Sequence, residues 1–341
     1  MNPLIEQLNS EPALAWKVTL NLLGKPDDSP EARRARDEVR DAPLVRILLS
    51  ERGKDGTIVA LPGGHGGIRD GAARDGKIHY DPYTKWRGAH WVLSLLADLG
   101  YPPGDESLRP MMEETYNAWL SPQHGKYIRQ IAGRTRRCAS QEGNAAWSSL
   151  RLGLADWRTG ELVSRLLKWQ WPDGGWNCDK NPTADTSSFM ETLIPLRALV
   201  LYAQVTGDLK VRDAVDRAVQ IFLKRHLFKR LSDGKLMDRH FVRLHYPVYW
   251  HYDILAGLKV MAEAGFISDP RCKDALDLLE SKRLPDGGFP AEETYTHPSR
   301  PGVSGYSLVG WGGTGVKKMN PFVTADALYV LRVAGRLQGF H

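Results

Sequence analysis

Apolar residues recur with helical spacing along most of the chain, and no segment keeps a long strand-like alternation. In the segment 211–227 the apolar residues follow the pattern i, i+3, i+4, i+7, i+8 and i+11, with charged residues opposite. This stripe is typical of an outer helix that buries one face. The segment 191–203 is apolar on nearly all sides and predicts an inner helix, which Pro195 should kink by removing a backbone donor.

An Asp-Gly turn recurs between these segments. The fullest copy is KWQWPDGGW (168–176), and LPDGGFP (284–290) repeats it 113 residues later, measured from Asp173 to Asp286. Weaker copies occur at Asp55-Gly56, at Asp233-Gly234 and, without the aspartate, at 119–126. Glycine supplies the positive φ that such turns need, so one copy alone carries little information. Copies in register at about 57-residue spacing predict a repeat architecture.

The repeat predicts six inner helices that alternate with about five outer ones; the inner helices are expected near 12–23, 88–100, 140–156, 188–206, 250–265 and 322–337. A ring of this kind is an all-α fold, a single α/α-toroid domain over 1–341 with a central cavity. The loops 52–80 and 290–318 lead towards inner-helix N-termini. Long loops in compact domains are often functional, so we expect both to act as cavity lids.

Composition and charge narrow the class of protein. Hydrophobic residues make up 42% and charged residues 25% of the chain, which are globular values. The net charge of +6 is dispersed and accompanies no nucleic-acid-binding module, so a nucleic-acid partner is not expected. The chain shows neither a leader nor an apolar run of about 18 residues, which predicts a cytoplasmic protein without a membrane span. The oligomeric state stays open.

The segments before the predicted inner helices are rich in polar and aromatic residues. If the ring closes, they converge on one cavity mouth and can bind a small-molecule or oligomeric substrate. The candidate catalytic residues are Asp185, His245, Tyr249, His251 and Asp253. The candidate substrate contacts are Tyr83, Trp86, Arg87, His90, Arg136, Arg137, Gln141, Asn144, Trp176, Asp179, Tyr246, Tyr252 and Lys317.

Each of these candidates has a plainer alternative. Asp185 and Thr186 fit ordinary helix capping equally well. Ser187, His251 and Asp253 could be assembled into a nucleophilic triad, but no nucleophile elbow surrounds the serine. The cysteines at 138, 178 and 272 show neither a disulfide framework nor paired metal-ligand spacing. No metal and no cofactor is therefore predicted.

The segments KWQWPDGGW and LPDGGFP, with Asp185-Thr186 expected to open the next helix, resemble the QW-type repeats of the terpenoid cyclase and protein prenyltransferase superfamily. The resemblance covers the helical part of the chain and implies an α/α toroid with an isoprenoid-type substrate. The chain departs from the acidic DxDDTA run of protonation-type cyclases, because Ala184 stands where the proton-donating aspartate would be. Ser187 likewise stands where the prenyltransferases have a zinc-binding cysteine, which argues against zinc-dependent thiol alkylation.

Three functions remain open. The resemblance places a cyclase-like conversion first, with aromatic faces that stabilise a cation and Asp179, Asp185 or Asp253 as the acid. A polysaccharide (uronate) lyase would use Arg87, Arg136, Arg137, Gln141 and Asn144 to neutralise a carboxylate, and His245, Tyr249 or His251 as base. A ligand-binding or scaffold protein without catalysis is the third, because fold does not determine function.

Overall fold

The computed structural model describes residues 3–59, 73–74, 77–78, 81–300 and 305–337. The described chain is mainly helical, as predicted. Its helices are α1 (Pro3–Leu8), α2 (Pro12–Lys17), α3 (Pro30–Arg40), α4 (Pro43–Leu48), α5 (Ala89–Leu99), α6 (Arg109–Leu120), α7 (Pro122–Gly125), α8 (Ser140–Arg151), α9 (Trp157–Trp169), α10 (Phe189–Thr206), α11 (Leu209–Leu223), α12 (Ile254–Glu263), α13 (Lys273–Ser281) and α14 (Pro321–Val333).

Shorter elements connect these helices. A π-helical turn, Val18–Leu22, extends α2, and three 3₁₀ turns lie at Glu106–Leu108, Arg239–Val242 and Pro270–Cys272. The strands form two antiparallel hairpins, β1 (Ala73–Arg74) with β2 (Lys77–Ile78), and β3 (Arg129–Ile131) with β4 (Arg134–Arg136). Most of the first predicted lid loop, 60–72, lies outside the described residues.

Six helices contact one another in cyclic order. Helix α2 contacts α5, and the series continues through α8, α10, α12 and α14, which returns to α2. A second helix packs on each of the first five: α3 on α2, α6 on α5, α9 on α8, α11 on α10 and α13 on α12. Helix α11 buries the predicted stripe, which includes Val211, Ala214 and Phe222, whereas almost all of α5 is buried.

The structure agrees with the predicted start of α10 near residue 188, but the predicted caps Asp185 and Thr186 are wrong. The helix begins at Phe189, and the hydroxyl of Ser188 caps it by accepting a hydrogen bond from the Glu191 N–H at 3.4 Å. Asp185 and Thr186 are exposed in the preceding loop, so neither is the cap. The serine performs this role because its short side chain reaches the free N–H groups of the first turn.

The Asp-Gly turns share one internal hydrogen bond, and the two full copies also bond to the helix that follows. Each aspartate accepts a hydrogen bond from the N–H two residues later, in the pairs Asp55–Thr57, Asp173–Gly175, Asp233–Lys235 and Asp286–Gly288. In the two full copies the next aromatic residue is buried. The Trp176 N–H donates to the Thr192 hydroxyl at 3.1 Å, and the Phe289 N–H donates to the Thr324 hydroxyl at 2.8 Å. Each of these two turns is thus bonded to the fourth residue of the helix that follows it, α10 or α14.

Paired charges from α2, α5, α10, α12 and α14 lie close to one another. Lys17 contacts Asp98 at 3.0 Å and Asp326 at 3.1 Å, and Lys259 contacts the same two carboxylates at 3.2 and 2.8 Å. Arg197 joins them at 3.4 Å from Asp98. A cavity of about 300 Å³ borders these groups. This cavity is therefore lined by paired charges.

The closest approach of α8 to α10 depends on Gly143. A Cβ at this position would lie 2.8 Å from the Pro195 nitrogen and 3.0 Å from the Ile194 carbonyl carbon, which are backbone atoms. We expect Gly143→Ala to destabilise the protein by roughly 1–3 kcal/mol in urea unfolding. Gly160→Ala in α9 is the matched control, since its Cβ would meet only the Tyr202 hydroxyl at 3.6 Å. The free energy of unfolding of Gly160→Ala should rise by about 0.5–1 kcal/mol. Equal changes in the two variants would contradict the prediction.

Candidate functional site

The segments that precede α5, α8, α10 and α12 lie together. A β-bridge joins Arg136 to Asn177, and the Arg137 N–H donates to the Asn177 carbonyl at 3.2 Å. Asn144 Nδ2 donates to the Tyr249 carbonyl at 3.3 Å, which connects α8 to the segment before α12. Lys317, from the fifth predicted segment, is exposed and lines neither of the two cavities that these segments form in the described chain.

A cavity of about 180 Å³ opens between these segments, and we call it the aromatic pocket. Its lining includes the rings of Tyr83, Trp86, Trp91, Tyr249, Trp250 and Tyr295. Tyr249 stacks on Trp91, and its centroid lies 6.2 Å from that of Trp86 in an edge-on arrangement. The second predicted lid loop contributes Tyr295, whose carbonyl accepts from Trp86 Nε1 at 3.1 Å. The pocket is therefore lined mainly by aromatic rings, a residue type whose π systems attract cations.

Cys138, Cys178 and Glu191 form a polar wall of the aromatic pocket. One potential ligand atom from each lies within 4.8 Å of the other two, and Cys178 Sγ is 3.7 Å from Glu191 Oε1. The buried Glu191 carboxylate accepts hydrogen bonds from Trp250 Nε1 at 2.8 Å and from the Ser140 N–H at 3.1 Å. Burial raises the pKa of Glu191, and these two bonds oppose the shift only in part. Two sulfurs and a carboxylate are a donor set that can hold a metal ion.

A second cavity, of about 790 Å³, adjoins the aromatic pocket and shares Tyr83, Cys138 and Cys178 with it. We call it the basic groove, because its lining includes Arg129, Arg136, Arg137 and Lys180, with Asp81 as a carboxylate. A surface with this balance of charge attracts anions. The two cavities therefore offer neighbouring apolar and cationic surfaces.

The groove arginines differ in how well they are paired. Arg137 bonds to Glu142 at 3.0 Å, to Gln141 at 2.5 Å and to His124. Arg136 is only 2% exposed and lies over the Trp171 ring at 4.4 Å. Its Nη2 donates to the Ala184 carbonyl at 2.9 Å, but its Nε and Nη1 have no hydrogen-bond partner among the described residues. Arg136 therefore has N–H groups left to bind an anion.

The predicted catalytic histidines occupy different places. His251 lines the aromatic pocket and stacks on Tyr295 with a centroid distance of 3.4 Å. Burial, aided by His245 and Lys85, lowers the pKa of His251 to about 4, so its imidazole is neutral at pH 7. His245 is buried beside Tyr295, and its Nδ1 lies 2.7 Å from Asp253 Oδ2. Asp253 thus contacts the imidazole of His245 and not that of His251.

The hypothetical triad of Ser187, His251 and Asp253 does not form. The Ser187 hydroxyl donates to Asp173 at 2.6 Å, which ties it to the Asp-Gly turn. Asp253 bonds to His245 and also caps α12 by accepting from the Ala256 N–H at 2.8 Å. Each member of the proposed triad is therefore committed to a different group or ring.

The carboxyls of Asp179 and Asp185 also lie away from the pocket. Both residues are exposed in the loop before α10, and neither lines the aromatic pocket or the basic groove within the described chain. Asp179 accepts a hydrogen bond from the Asn181 N–H at 2.9 Å, as in an ordinary turn. A proton donor that is kept neutral by burial must be buried, and these two residues are not.

Some of the predicted substrate contacts line one of the two cavities, and the others do not. Tyr83 and Trp86 line the aromatic pocket, and Tyr83, Arg136, Arg137 and Gln141 line the groove. Asp179 and Lys317 are exposed. The remaining six are buried and bonded to the protein itself, in the pairs Arg87–Glu51, His90–Trp119, Asn144–Tyr249, Trp176–Leu166, Tyr246–Asp98 and Tyr252–Leu227. For these residues packing explains the aromatic and polar character that the sequence shows.

The sequence argument missed the group formed by Cys138, Cys178 and Glu191. The two cysteines are 40 residues apart, so their spacing carries no metal-site signal. Glu191 follows Ser188 by three residues, which is the capping-box pattern of a helix start. In the structure the Ser188 N–H donates to the Trp176 carbonyl at 2.9 Å instead, and the glutamate turns towards Ser140 and Trp250.

Comparison of the sequence with protein-family models gives no match, and comparison with curated proteins gives none either. No helix in the described part of the chain is both long and apolar enough to cross a membrane. The fold and the site together define a mainly helical protein in which an aromatic pocket adjoins a basic groove.

Proposed function

We propose that this protein is an α/α-toroid enzyme of the terpenoid-cyclase type, which converts an isoprenoid-type substrate that carries a diphosphate. The toroid is supported by the cyclic order of contacts among α2, α5, α8, α10, α12 and α14, each of the first five with an outer helix. The observation that carries the functional proposal is that the aromatic pocket and the basic groove share Tyr83, Cys138 and Cys178.

The aromatic pocket accounts for the apolar part of the substrate. Its volume of about 180 Å³ is below the roughly 300–1,000 Å³ of most ligand pockets. It can therefore hold only part of a ligand, while the remainder extends into the adjoining groove of about 790 Å³. The Trp86, Tyr249 and Trp250 rings line the pocket and would face the reacting carbon atoms.

The basic groove accounts for the anionic group. Arg136 contributes buried N–H groups that have no partner in the described part of the chain, and Lys180 adds an exposed ammonium group nearby. Guanidinium groups match phosphate oxygens in geometry and charge. A diphosphate bound here would place its first carbon atom close to the shared wall of the two cavities.

This arrangement favours ionisation of the substrate over its protonation. The usual acid position is Ala184, and Asp185 is exposed. In the proposed reaction the bond between the allylic carbon and the diphosphate oxygen breaks, and its electron pair leaves with the diphosphate. The resulting cation is stabilised by the aromatic faces. It is quenched when a neighbouring carbon transfers a proton to neutral His251 and the C–H electron pair forms a double bond.

The test is to incubate the full-length protein with allylic isoprenoid diphosphates of increasing length, and to measure diphosphate release together with the organic product. Arg136→Ala should lower kcat/KM by about 10–100-fold, because a hydrogen bond to a charged group is worth about 1.5–3 kcal/mol. Arg134→Ala is the matched control. Arg134 lies over the same Trp171 ring at 5.5 Å but is not among the groove residues. The kcat/KM of Arg134→Ala should therefore stay near the wild-type value.

Other outcomes would contradict the proposal. Conversion of a polyene hydrocarbon, lost in Glu191→Gln, would indicate protonation by the pocket carboxyl. Formation of an unsaturated uronate would indicate a lyase, although Arg87 and Arg137 are already paired with Glu51 and Glu142. Equal kcat/KM values in Arg136→Ala and Arg134→Ala would show that the basic groove takes no part in the reaction. Binding of the diphosphate substrate without turnover would indicate a ligand-binding protein and not an enzyme.

A further inference from the structure

We infer that Cys138, Cys178 and Glu191 form a zinc site whose fourth coordination position opens into the aromatic pocket. This inference goes beyond the proposed function and does not depend on it, because zinc binding can be measured without any substrate. It also differs from the metal site that the superfamily resemblance implies. That site would use the position of Ser187, whose hydroxyl donates to Asp173.

The distance between the ligand atoms of Cys178 and Glu191 matches that in a tetrahedral zinc site. With Zn–S bonds of about 2.3 Å and Zn–O bonds of about 2.1 Å, neighbouring ligand atoms in a tetrahedron are about 3.6–3.8 Å apart. Cys178 Sγ lies 3.7 Å from Glu191 Oε1, and one ligand atom from each of the three residues lies within 4.8 Å of the others. An ion can therefore bind with only small side-chain adjustments.

Ordered backbone holds the two cysteines in place. The β-bridge between Arg136 and Asn177 brings the two chain segments side by side, and the Arg137 N–H bonds to the Asn177 carbonyl. Cys138 and Cys178 directly follow these bonded residues. Glu191 lies in the first turn of α10, a helix of 18 residues. The site is thus built on paired backbone segments and a long helix.

A second layer of contacts orients the carboxylate. Trp250 Nε1 donates to Oε1 of Glu191 and the Ser140 N–H donates to Oε2, at 2.8 and 3.1 Å. No lysine, arginine or histidine of the described chain forms an ion pair with this carboxylate, although it is only 1% exposed. A buried carboxylate normally has a cationic partner or a metal ion. Zinc would supply that charge.

The donor set and the surroundings indicate a catalytic type of zinc site. Two thiolates favour zinc over magnesium or calcium, which prefer oxygen ligands. Structural zinc sites usually have four protein ligands, whereas catalytic sites have three and leave one position for water or substrate. All three residues line the aromatic pocket, and both cysteines also line the basic groove. A zinc-bound water or substrate oxygen would therefore lie where the two cavities meet.

The experiment uses the full-length protein, purified with a reductant and freed of metal with a chelator. After titration with Zn²⁺ and removal of the excess, elemental analysis should find about one zinc per chain. Co²⁺ should give sulfur-to-metal charge-transfer absorption and the visible spectrum of a tetrahedral ion. Cys138→Ser and Cys178→Ser should each abolish the charge-transfer contribution of one thiolate and weaken zinc binding. Cys272→Ser should change neither, because that thiol is buried elsewhere beside the Phe266 carbonyl.

Two further variants address the carboxylate. Glu191→Gln retains the size of the side chain and should weaken zinc binding. Trp250→Phe keeps an aromatic ring but removes the indole N–H that bonds to Glu191, and it should weaken zinc binding by about 10–100-fold, as loss of a group that orients a ligand does. Circular dichroism of each variant shows whether the fold is retained. Loss of zinc with an unchanged spectrum supports the site.

Three results would overturn the inference. The first is metal-free protein with three reactive thiols that binds neither ion. The second is zinc that binds equally well to wild type, Cys138→Ser and Cys178→Ser. The third is a Cys138–Cys178 disulfide that persists in the presence of reductant, which would make the pair a covalent link. A failed diphosphate assay with zinc still bound at this site would count against the proposed function alone.

Discussion

Asp98→Asn is expected to destabilise the protein by roughly 3–5 kcal/mol, the cost of breaking a buried ion pair from one side. The Asp98 carboxylate contacts Lys17, Lys259 and Arg197 at 3.0, 3.2 and 3.4 Å, and it accepts a bond from Tyr246 at 2.9 Å. With asparagine at position 98, Asp326 would be the remaining carboxylate that contacts Lys17 and Lys259. The buried positive charge would then be only partly neutralised. Urea unfolding at pH 7 measures the loss.

Asp277→Asn is the matched control for this variant. Asp277 also contacts two cations, Lys273 at 2.6 Å and Arg336 at 2.7 Å, but its side chain is 46% exposed. Pairs in water are worth about 0–1 kcal/mol, so this change should be small. Similar losses in the two variants would show that burial does not determine the effect.

The same network predicts how stability depends on pH. Burial alone would raise the pKa of Asp98, but Lys17, Lys259 and Arg197 outweigh burial and hold the pKa well below its ordinary value. Because the folded pKa is depressed, the stabilisation is fully present above the unfolded value of about 3.9. It is lost as the pH falls below that value towards the folded pKa. Asp98→Asn should flatten this part of the stability curve.

Asp253→Ala is expected to cost roughly 3–5 kcal/mol, because each buried donor left unsatisfied costs about 1–3 kcal/mol. Asp253 is fully buried and accepts bonds from the backbone N–H groups of His245 and Ala256, both at 2.8 Å. It also lies 2.7 Å from His245 Nδ1. Asp253 therefore acts as a structural anchor, and the variant should lose thermal stability together with any activity.

Asp208→Ala provides the comparison, since Asp208 caps α11 from an exposed position through the N–H groups of Lys210 and Val211. Loss of an exposed cap costs about 1 kcal/mol. Asp253→Ala should lower the midpoint of thermal unfolding by clearly more than Asp208→Ala. If Asp253→Ala unfolded like wild type but lost all turnover, Asp253 would be catalytic after all.

The sequence by itself determines where the helices lie and where the repeats turn. Helical periodicity is a local property, and apolar stripes such as that of 211–227 must be buried whichever partner covers them. The Asp-Gly turns are equally local, because each aspartate bonds to an N–H only two residues away. Helix starts are less well determined. Asp185, Thr186 and Ser188 can all cap a helix, and the choice depends on where the Trp176 carbonyl lies.

Only the tertiary structure decides which side chains form the site. Arg87, Arg136 and Arg137 are alike in sequence, but Glu51 and Glu142 neutralise Arg87 and Arg137. Two nitrogens of Arg136 bond to nothing among the residues that the structure describes. Cys138, Cys178 and Glu191 come together because a β-bridge aligns two loops beside the first turn of α10. Such contacts join distant parts of the chain, and their geometry depends on how whole helices pack, which no local pattern encodes.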